Sequence, residues 1–367
     1  MTKFQKKLSQ LKEQNRFRSL SLPAGLDLTS NDYLGMRSHP RLREVALAAI
    51  DSGIDFGAAG SRLLRGHCAE HQALEIFAAD YFKCEKTLYF SSGFQANYAL
   101  FTTLPDRHDV IIFDELVHAS ARDGIQASHA KSIKAKHNDL NAFEDAIQKA
   151  RSDGAHNIWL AVESLYSMDG DVAPVSDFVN LAKEYDAYLI LDEAHASGVL
   201  GEDGRGLGAD YQHERLITLH TCGKAMGVAG GIVCGSEEIV SYMINAARGF
   251  IYSTAPPPLQ ALLVQKSLEI LASSDGQKRR DHLADLCGYV QGELGGEGTH
   301  VVPILIGDDG RAVEVSEALK NKGYDIRAIR PPTVAEGTAR LRLSLSSDLK
   351  LVDLEGFVDA LGDIVQI

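Results

Sequence analysis

Short apolar segments alternate with helix-like segments through the middle of the chain, and this alternation constrains the fold more than any other feature. Several of the apolar segments are nearly continuous, as expected of strands that are buried on both faces. Helix-like stretches such as 93–104 and 175–186 lie between them. The pattern predicts an open, mainly parallel α/β sheet with helices on both faces. The predicted strands are 86–92, 109–114, 157–164, 187–193, 215–221 and 230–235.

A second, smaller domain is predicted because the 367-residue chain exceeds the usual limit of about 250–300 residues for one hydrophobic core. The pattern changes after residues 253–258, where a long helical tract over 259–296 leads to strands with helices on one side. This arrangement is typical of a small α+β domain. We predict an N-terminal segment that joins the small domain, a large domain, and the rest of the small domain, over residues 1–45, 46–274 and 275–367.

Composition excludes several classes of function. The formal net charge of −13 argues against a general nucleic-acid surface, which needs a basic face. The five cysteines form no C-x-x-C pair, which indicates reduced thiols rather than a disulfide framework or a structural zinc site. Residues 1–20 lack the apolar stretch of a signal peptide, and no apolar run reaches the roughly 20 residues of a membrane span. We expect a soluble cytoplasmic protein.

Three chemically reactive residues follow neighbouring predicted strands. Asp192 ends one strand, His195 lies in the turn after it, and Lys224 follows the strand over 215–221. Ligands of open α/β sheets bind at the carboxyl ends of strands, so these side chains are predicted at one edge of the sheet. Each has a simpler interpretation: Asp192 would cap a turn, and Lys224 would extend to solvent. A metal site is not predicted, because no ligand set such as H-E-x-x-H accompanies them.

Taken together, the three residues supply what pyridoxal 5'-phosphate (PLP) requires of a protein. Lys224 lies among glycines and alanines, and burial disfavours an ammonium, so its neutral amine would form an imine with the PLP aldehyde. Asp192 would pair with the protonated pyridine nitrogen, which also offsets the cost of burying a carboxylate. His195 would hydrogen-bond the phenolic oxygen of the ring.

Further residues fit the phosphate and the ring of the same cofactor. Gly93 and Phe94 lie at a predicted helix start, where free backbone N–H groups favour an anion. Thr221 would add a hydroxyl, and His118, which follows another predicted strand, would stack on the ring. The alternatives are a plain helix cap at Gly93 and ordinary packing of His118.

A series of segments between residues 28 and 346 resembles, in order, the α-oxoamine synthases. These fold-type I PLP enzymes condense an amino acid with an acyl thioester and release carbon dioxide. The segments are SNDYLG, GAAGSRLLRGHCAEHQALE, SSGFQAN, SMDGD, DEAHASGVLGEDGRG, HTCGKAMG, YSTAPPP and RPPTVAEGTARLRLSLS.

The resemblance implies a fold-type I PLP-dependent transferase with a large, mainly parallel, seven-stranded sheet and a smaller α+β domain. It implies the cofactor PLP and a homodimer with shared active sites. The implied catalytic residues are Lys224, His118 and Asp192. The implied cofactor-binding residues are Gly93, Phe94, His118, Ser167, Asp192, His195, Thr221, Lys224 and Thr254, of which Thr254 would reach the phosphate in the neighbouring subunit. The implied substrate-binding residues are Asn31, Arg330 and Arg342.

Within this family, residues 329–346 are most similar to members that act in biotin biosynthesis. Those members condense L-alanine with a pimeloyl thioester, whose carrier is coenzyme A or an acyl-carrier protein. The alternatives are a family member that uses glycine or serine with a different acyl-CoA, and an aminotransferase or lyase of the same fold. A PLP-binding regulatory module without catalysis is disfavoured by the complete set of reactive residues.

Overall fold

The structure is a computed structural model that describes residues 1–211 and 213–365. Its strands are β1 (Leu26–Asp27), β2 (Lys86–Phe90), β3 (Val110–Asp114), β4 (Lys131–Ala135), β5 (Ile158–Glu163), β6 (Tyr188–Asp192), β7 (Leu216–Thr221), β8 (Gly231–Gly235), β9 (Val301–Gly307), β10 (Tyr324–Asp325), β11 (Ala328–Ile329) and β12 (Ala339–Ser344). Its α-helices are α1 (Lys3–Glu13), α2 (Pro40–Asp51), α3 (Ala69–Tyr81), α4 (Gly93–Thr103), α5 (Ala119–Ala127), α6 (Leu140–Ser152), α7 (Val175–Glu184), α8 (Glu237–Ala246), α9 (Arg248–Ile251), α10 (Pro258–Leu271), α11 (Ser274–Leu294), α12 (Asp309–Asn321) and α13 (Leu351–Val365).

The described residues form a seven-stranded sheet in the order β2-β8-β7-β6-β5-β3-β4. Strand β8 runs antiparallel to both of its neighbours, and the other adjacent pairs are parallel. The predicted mainly parallel α/β sheet is therefore confirmed. The sequence analysis missed β4, the edge strand with sequence KSIKA, because its two lysines break the apolar pattern. Charged side chains are common on edge strands, where they oppose pairing with other chains.

Strand register brings polar residues together at one edge of this sheet. Glu163, the last residue of β5, pairs with Asp192, the last residue of β6. Asp192 in turn pairs with Leu219, two residues before the end of β7. Because these strands are parallel, their carboxyl ends and the loops that follow them meet at the same edge.

Each face of the sheet is covered by its own apolar cluster, because successive side chains of a strand point to opposite faces. On β5, Leu160 and Val162 pack in one cluster with helices α6 and α7. Trp159 and Ala161 pack in the other with helices α4, α5, α8 and α9. All six residues of β5 are buried, as predicted for a strand with helices on both sides.

The chain divides into two compact units, and the division differs from the predicted boundaries. The small unit comprises Met1–Tyr33, Ser167–Asp171 and the chain from Asp281 onward. The large unit comprises Leu34–Tyr166 and Val172–Arg280. The first boundary lies at residue 33 rather than 45. Strand β1 pairs with β10 of the small unit, whereas α2 packs against α10 of the large unit. The second boundary lies between Arg280 and Asp281, inside the continuous helix α11, whereas the predicted boundary lies at the start of that helix.

Within the small unit, β11, β12 and β9 form an antiparallel sheet in that order, and β1 pairs in parallel with β10. Helix α12 packs against this antiparallel sheet and against α13. The predicted α+β architecture is therefore confirmed. The predicted helical tract over 259–296 consists of α10 and α11. It is interrupted where the Ser273 hydroxyl donates to the carbonyl of Ile270 and accepts from the N–H of Asp275. Such side-chain bonds to the backbone favour helix ends.

In the described residues, no helix is long and apolar enough to span a membrane.

We expect Phe178→Ala to destabilise the large unit by about 3–5 kcal/mol, because it removes a fully buried ring. The ring of Phe178 packs edge-on against that of Phe143, with 4.9 Å between the ring centroids. The measurement is the midpoint of urea unfolding followed by circular dichroism. Asn180→Ala, on the exposed side of the same helix, is the control and should shift the midpoint little. Equal shifts in the two variants would contradict this account of the core.

Candidate active site

Lys224 lies in the loop that joins the antiparallel strands β7 and β8. A tight turn follows it, in which the N–H of Gly227 donates to the Lys224 carbonyl at 2.8 Å. Gly227 has φ +65°, and a Cβ there would lie 2.3 Å from the backbone nitrogen of Arg37, so both the conformation and the space require glycine. The half-buried Lys224 places its Nζ 2.7 Å from Nε2 of the buried His195. The structure thus brings together the predicted imine-forming lysine and one of the predicted histidines.

Asp192 ends β6 with its carboxylate buried. Its Oδ2 accepts a hydrogen bond from Nδ2 of Asn97 at 2.7 Å, and its Oδ1 accepts one from the N–H of Ala194 at 2.9 Å. Within the described residues, no cationic side chain forms an ion pair with Asp192. Hydrogen bonds from neutral donors stabilise a buried carboxylate only in part. The arrangement therefore leaves Asp192 suited to a cationic ligand.

His118 is held at the start of α5 by Glu163 and Ser120. The backbone N–H of His118 donates to Oε1 of Glu163 at 2.5 Å, and the Ser120 hydroxyl lies 2.8 Å from Nδ1 of the His118 ring. His118 is exposed to solvent, yet partial desolvation by the surrounding protein lowers the pKa of its imidazole. A neutral, fixed imidazole is compatible with stacking on an aromatic ring.

Glu163 is a second buried carboxyl group beside Asp192. Burial, and next the negative charge of Asp192, raise the pKa of Glu163 well above its usual value. The neutral form of Glu163 is favoured as a result, which avoids placing two carboxylates side by side without water.

The start of α4 forms a close contact with the end of β7. A Cβ on Gly93 would lie 2.3 Å from Oγ1 of Thr221, so the absence of a side chain allows the Thr221 hydroxyl to reach the first turn of the helix. In that turn, the N–H of Gln95 donates to the Ser92 hydroxyl. The N–H groups of Gly93 and Phe94 precede the first intrahelical bonds and have no carbonyl partner four residues back. Backbone donors and a hydroxyl converge here, as an anion such as phosphate requires.

Thr254 is exposed and lines a small cavity together with Ser91, which precedes α4, and Gln95, which lies in the first turn of α4. In a single chain, Thr254 therefore lies in the same unit as the phosphate-binding candidates. Its predicted contact with a neighbouring subunit remains a prediction.

Arg342 is the centre of a separate polar cluster in the small unit. Its Nε donates to the Ser167 carbonyl at 2.5 Å, and its Nη1 donates to Oδ1 of Asn31 at 3.0 Å and to the Ser344 hydroxyl at 2.7 Å. Its Nη2 donates to the Tyr33 hydroxyl at 3.2 Å. Only 7% of Arg342 is exposed, and in the described part of the chain none of its hydrogen-bond partners is a carboxylate. The cluster is suited to a carboxylate ligand.

Arg330 does not join this cluster. Its Nη1 donates to the carbonyl of Asn15 in the N-terminal segment. Burial, and then the charge of Arg18, lower the pKa of its guanidinium. The structure thus brings Asn31, Ser167 and Arg342 together and places Arg330 in a different basic environment.

Sequence reasoning missed Asn97, Glu163, Ser120 and Tyr33. Glu163 carried an available signal, because it lies at the end of the apolar run of the predicted strand over 157–164. Asn97 and Ser120 acquire their role only through long-range contacts, since the Nδ2 of Asn97 bonds to both Asp192 and Ser120. Among the described residues, no three His, Cys, Asp or Glu side chains are grouped to hold a metal ion.

Comparison with known proteins places this chain in a family. Residues 23–361 match the aminotransferase class I and II family. The 8-amino-7-oxononanoate synthase of Chromobacterium violaceum is 40% identical over 376 aligned positions, which cover 96% of this chain and 96% of that protein. A putative 8-amino-7-oxononanoate synthase of Bacillus licheniformis is 37% identical over 364 positions, with 96% and 94% covered.

Solved structures share the fold over nearly the whole chain. The 8-amino-7-oxononanoate synthase of Francisella tularensis has a TM-score of 0.78 at 28% identity and covers 93% of this chain and 98% of its own. A serine palmitoyltransferase of S. paucimobilis, with PLP bound as an adduct with myriocin, has a TM-score of 0.90 at 24% identity, with 99% and 98% covered. The chain belongs to the aminotransferase class I and II family and, within it, to the α-oxoamine synthases.

Proposed function

We propose that this protein is a PLP-dependent 8-amino-7-oxononanoate synthase, which condenses L-alanine with a pimeloyl thioester and releases carbon dioxide. The observation that carries the proposal is the contact of 2.7 Å between Lys224 and His195 at the sheet edge where Asp192 is buried and, among the described residues, has no ion-pair partner. The identity of 37–40% to 8-amino-7-oxononanoate synthases over nearly the full chain supports this choice of substrates within the family.

The chemistry of the site fits PLP in three respects. The buried carboxylate of Asp192, which accepts from the neutral donors Asn97 Nδ2 and the N–H of Ala194, matches a protonated pyridine nitrogen. The first turn of α4 with the Thr221 hydroxyl, packed against Gly93, matches a phosphate. A half-buried amine, that of Lys224, matches an aldehyde. His118, His195 and Ser167 complete the proposed cofactor-binding set.

When bound, PLP supplies an aldehyde that links to amines and a ring that stabilises negative charge on the α-carbon of an amino acid. Lys224 Nζ would provide the amine that holds the PLP aldehyde and would accept the α-proton of the amino acid. His195 is hydrogen-bonded to Nζ at 2.7 Å and so orients it. Asp192 would hold the ring nitrogen in its protonated form, and Asn97 fixes the carboxylate of Asp192 by its bond of 2.7 Å to Oδ2.

Arg342 is proposed to bind the carboxylate of alanine, with Asn31 orienting the guanidinium. Because Arg342 is bonded to four neutral groups of the small unit, its position is fixed before substrate binds. A fixed cation sets the direction of the carboxylate and therefore of the bond that breaks when carbon dioxide leaves. Arg330 is also proposed to bind substrate, through its own basic surroundings rather than with Arg342.

The assembly and location follow from the family resemblance. We propose a cytoplasmic homodimer in which Thr254 reaches the phosphate bound by the neighbouring subunit. Size-exclusion chromatography with light scattering tests the dimer directly, and a monomeric active enzyme would exclude the shared site.

The amino acid and the acyl thioester are tested together. The purified enzyme is incubated with alanine, glycine or serine and with pimeloyl, succinyl, acetyl or palmitoyl thioesters, and release of carbon dioxide is measured. Alanine with a pimeloyl thioester should be at least about tenfold faster than other pairs, since pocket discrimination of a methyl group is worth about 10–200-fold. Preference for glycine or serine would identify another α-oxoamine synthase activity.

We expect Lys224→Ala to abolish turnover and to remove the PLP adduct that borohydride fixes at position 224, because alanine has no amine that could form an imine. Absorption spectra and mass spectrometry of the digested protein measure both effects. Lys224→Arg retains the positive charge without a nucleophilic amine and should lose the same adduct. Circular dichroism should be unchanged in both variants. Wild-type turnover in Lys224→Ala would refute the assignment.

We expect Asp192→Asn to lower kcat by about 10²–10³-fold, because a neutral amide no longer stabilises the protonated ring. Asn97→Ala keeps the charge of Asp192 and removes only its 2.7 Å donor, so its loss should be about tenfold. Steady-state kinetics of both variants, with PLP content measured in parallel, separate catalysis from cofactor loss. An equal loss in the two variants would contradict a specific role for the charge.

We expect Arg342→Gln to raise the KM for alanine by about 10–100-fold, as the loss of a hydrogen-bonded charge implies. Arg340→Gln is the matched control, because Arg340 is also buried in β12 but already pairs with Asp169 at 2.5 Å. The control should change the KM for alanine little, whatever its effect on stability. If the two variants raised this KM alike, Arg342 would not be the carboxylate-binding residue.

A further inference from the structure

A buried histidine of β7, His220, connects this strand with the turn of residues 193–197, which carries His195. Nδ1 of its ring lies 2.8 Å from the hydroxyl of Ser197, at the end of that turn. Nε2 lies 2.8 Å from the hydroxyl of Thr218, which belongs to β7 itself. One hydrogen bond of the imidazole therefore joins two segments of the large unit, and the other lies within one strand.

The hydroxyl of Ser197 determines which nitrogen of His220 carries the proton. It donates its only proton to the Glu193 carbonyl at 2.7 Å, so towards the ring it accepts, and Nδ1 is the protonated nitrogen. Nε2 then accepts from Thr218. Burial lowers the pKa of His220 to about 3, which keeps the ring neutral. The ring of Phe82 stacks on the imidazole, with 3.6 Å between the ring centroids, so its orientation is fixed as well.

The turn of residues 193–197 is attached to β7 at both of its ends. At its start, the N–H of Glu193 donates to the Leu219 carbonyl at 2.8 Å. At its end, the Ser197 hydroxyl accepts from the imidazole, and the N–H of Ser197 donates to the Glu193 carbonyl at 2.8 Å. His195 lies between these two attachments, and its Nε2 is 2.7 Å from Nζ of Lys224.

The residue after the turn packs against the loop that carries Lys224. Gly198 has φ +85°, and a Cβ there would lie 2.9 Å from the Cβ of Ala225, so both the conformation and the space favour glycine. Gly198 follows Ser197 directly, and Ala225 follows Lys224 directly. A displacement of Ser197 would therefore be transmitted to the position of the lysine loop as well as to the turn.

We propose that His220, through its hydrogen bond to Ser197, is a positioning residue that fixes His195. His195 is thereby held against Lys224, and this role rests on the proposed function, in which Lys224 is the reacting amine. Reaction rates fall steeply when the groups involved are displaced by as little as about 1 Å. A neutral imidazole in one tautomer suits this task, because it donates to Ser197 without adding a charge beside the reacting amine.

Two substitutions each remove one hydrogen bond from the imidazole. Ser197→Ala removes the bond that joins the turn to β7. Thr218→Val removes the bond within β7 and is the matched control. Each deletes one hydroxyl at a buried position, so a merely structural role of His220 predicts similar effects of the two substitutions. The proposed role predicts that only Ser197→Ala changes the turn and the reaction.

Hydrogen exchange of the PLP-free protein, followed by mass spectrometry, measures the turn without any reaction. In Ser197→Ala, the backbone N–H groups of residues 196–200 should exchange about 5–10-fold faster, as the loss of one hydrogen bond implies. In Thr218→Val, they should exchange as in the wild-type protein. Equal exchange of these N–H groups in the two variants would overturn the proposal.

Steady-state kinetics with PLP bound give the second readout. Ser197→Ala should lower kcat by about 10–100-fold, through misplacement of His195. The KM for alanine should stay near its wild-type value, because Arg342 and its hydrogen-bond partners are unchanged. Thr218→Val should keep both constants. A wild-type protein without a PLP adduct at position 224 would instead refute the proposed function, and the exchange experiment would still decide whether the turn is anchored.

Substitution of His220 itself separates its two nitrogens, since Ser197→Ala also removes the bond to the Glu193 carbonyl. The amide of asparagine places an N–H near the position of Nδ1, whereas that of glutamine reaches the position of Nε2. His220→Asn should therefore retain slow exchange of residues 196–200 and most of kcat. His220→Gln should reproduce the effects of Ser197→Ala. A His220→Gln variant that is at least as active as His220→Asn would contradict the assigned hydrogen bond.

Discussion

The buried carboxylate of Asp192 is the constraint on which the rest of the site depends. A carboxylate in the protein interior costs several kcal/mol unless a cation or sufficient donors compensate it. Asn97 and the N–H of Ala194 supply donors but no charge. The neighbouring Glu163 does not compete for a cation, since its raised pKa favours the neutral form. The pairing of β5 with β6 therefore places one buried negative charge, that of Asp192, at the end of β6. A cationic ligand at this position would stabilise it.

The same pairing also sets the position of His118. Glu163 lies opposite Asp192 in the register of the sheet, and its Oε1 accepts a hydrogen bond of 2.5 Å from the backbone N–H of His118. Ser120 then contacts both Nδ1 of His118 and Nδ2 of Asn97. The residues proposed to surround the PLP ring are thus linked through the carboxyl groups of Asp192 and Glu163, the hydroxyl of Ser120 and the amide of Asn97. Such a network fixes side chains before the cofactor binds, which is what efficient catalysis requires.

Those parts of the fold and of the site that depend on a local pattern of residues could be predicted from the sequence. The buried strands have continuous apolar sequences, Asp192 ends one of them and Lys224 lies three residues after another, so the sheet and the position of these residues at its edge could be predicted. Strand β4 could not, because an exposed edge strand has no need of apolar residues. Asn97 could not be assigned a role either, since its partner lies 95 residues away in the chain. The small-unit boundary at Tyr33 likewise depends on the pairing of β1 with β10, which no local pattern specifies.

Two arginines of β12 differ in the charge of their hydrogen-bond partners. Arg340 and Arg342 lie two residues apart, so both side chains point to the same face of the strand. Both are buried, but Arg340 bonds to the carboxylate of Asp169, whereas the bonds of Arg342 go to neutral groups. A buried cation with neutral partners is stabilised less than an ion pair and keeps its attraction for an anion. Arg340 therefore serves the fold, and Arg342 retains the charge that a substrate carboxylate would neutralise.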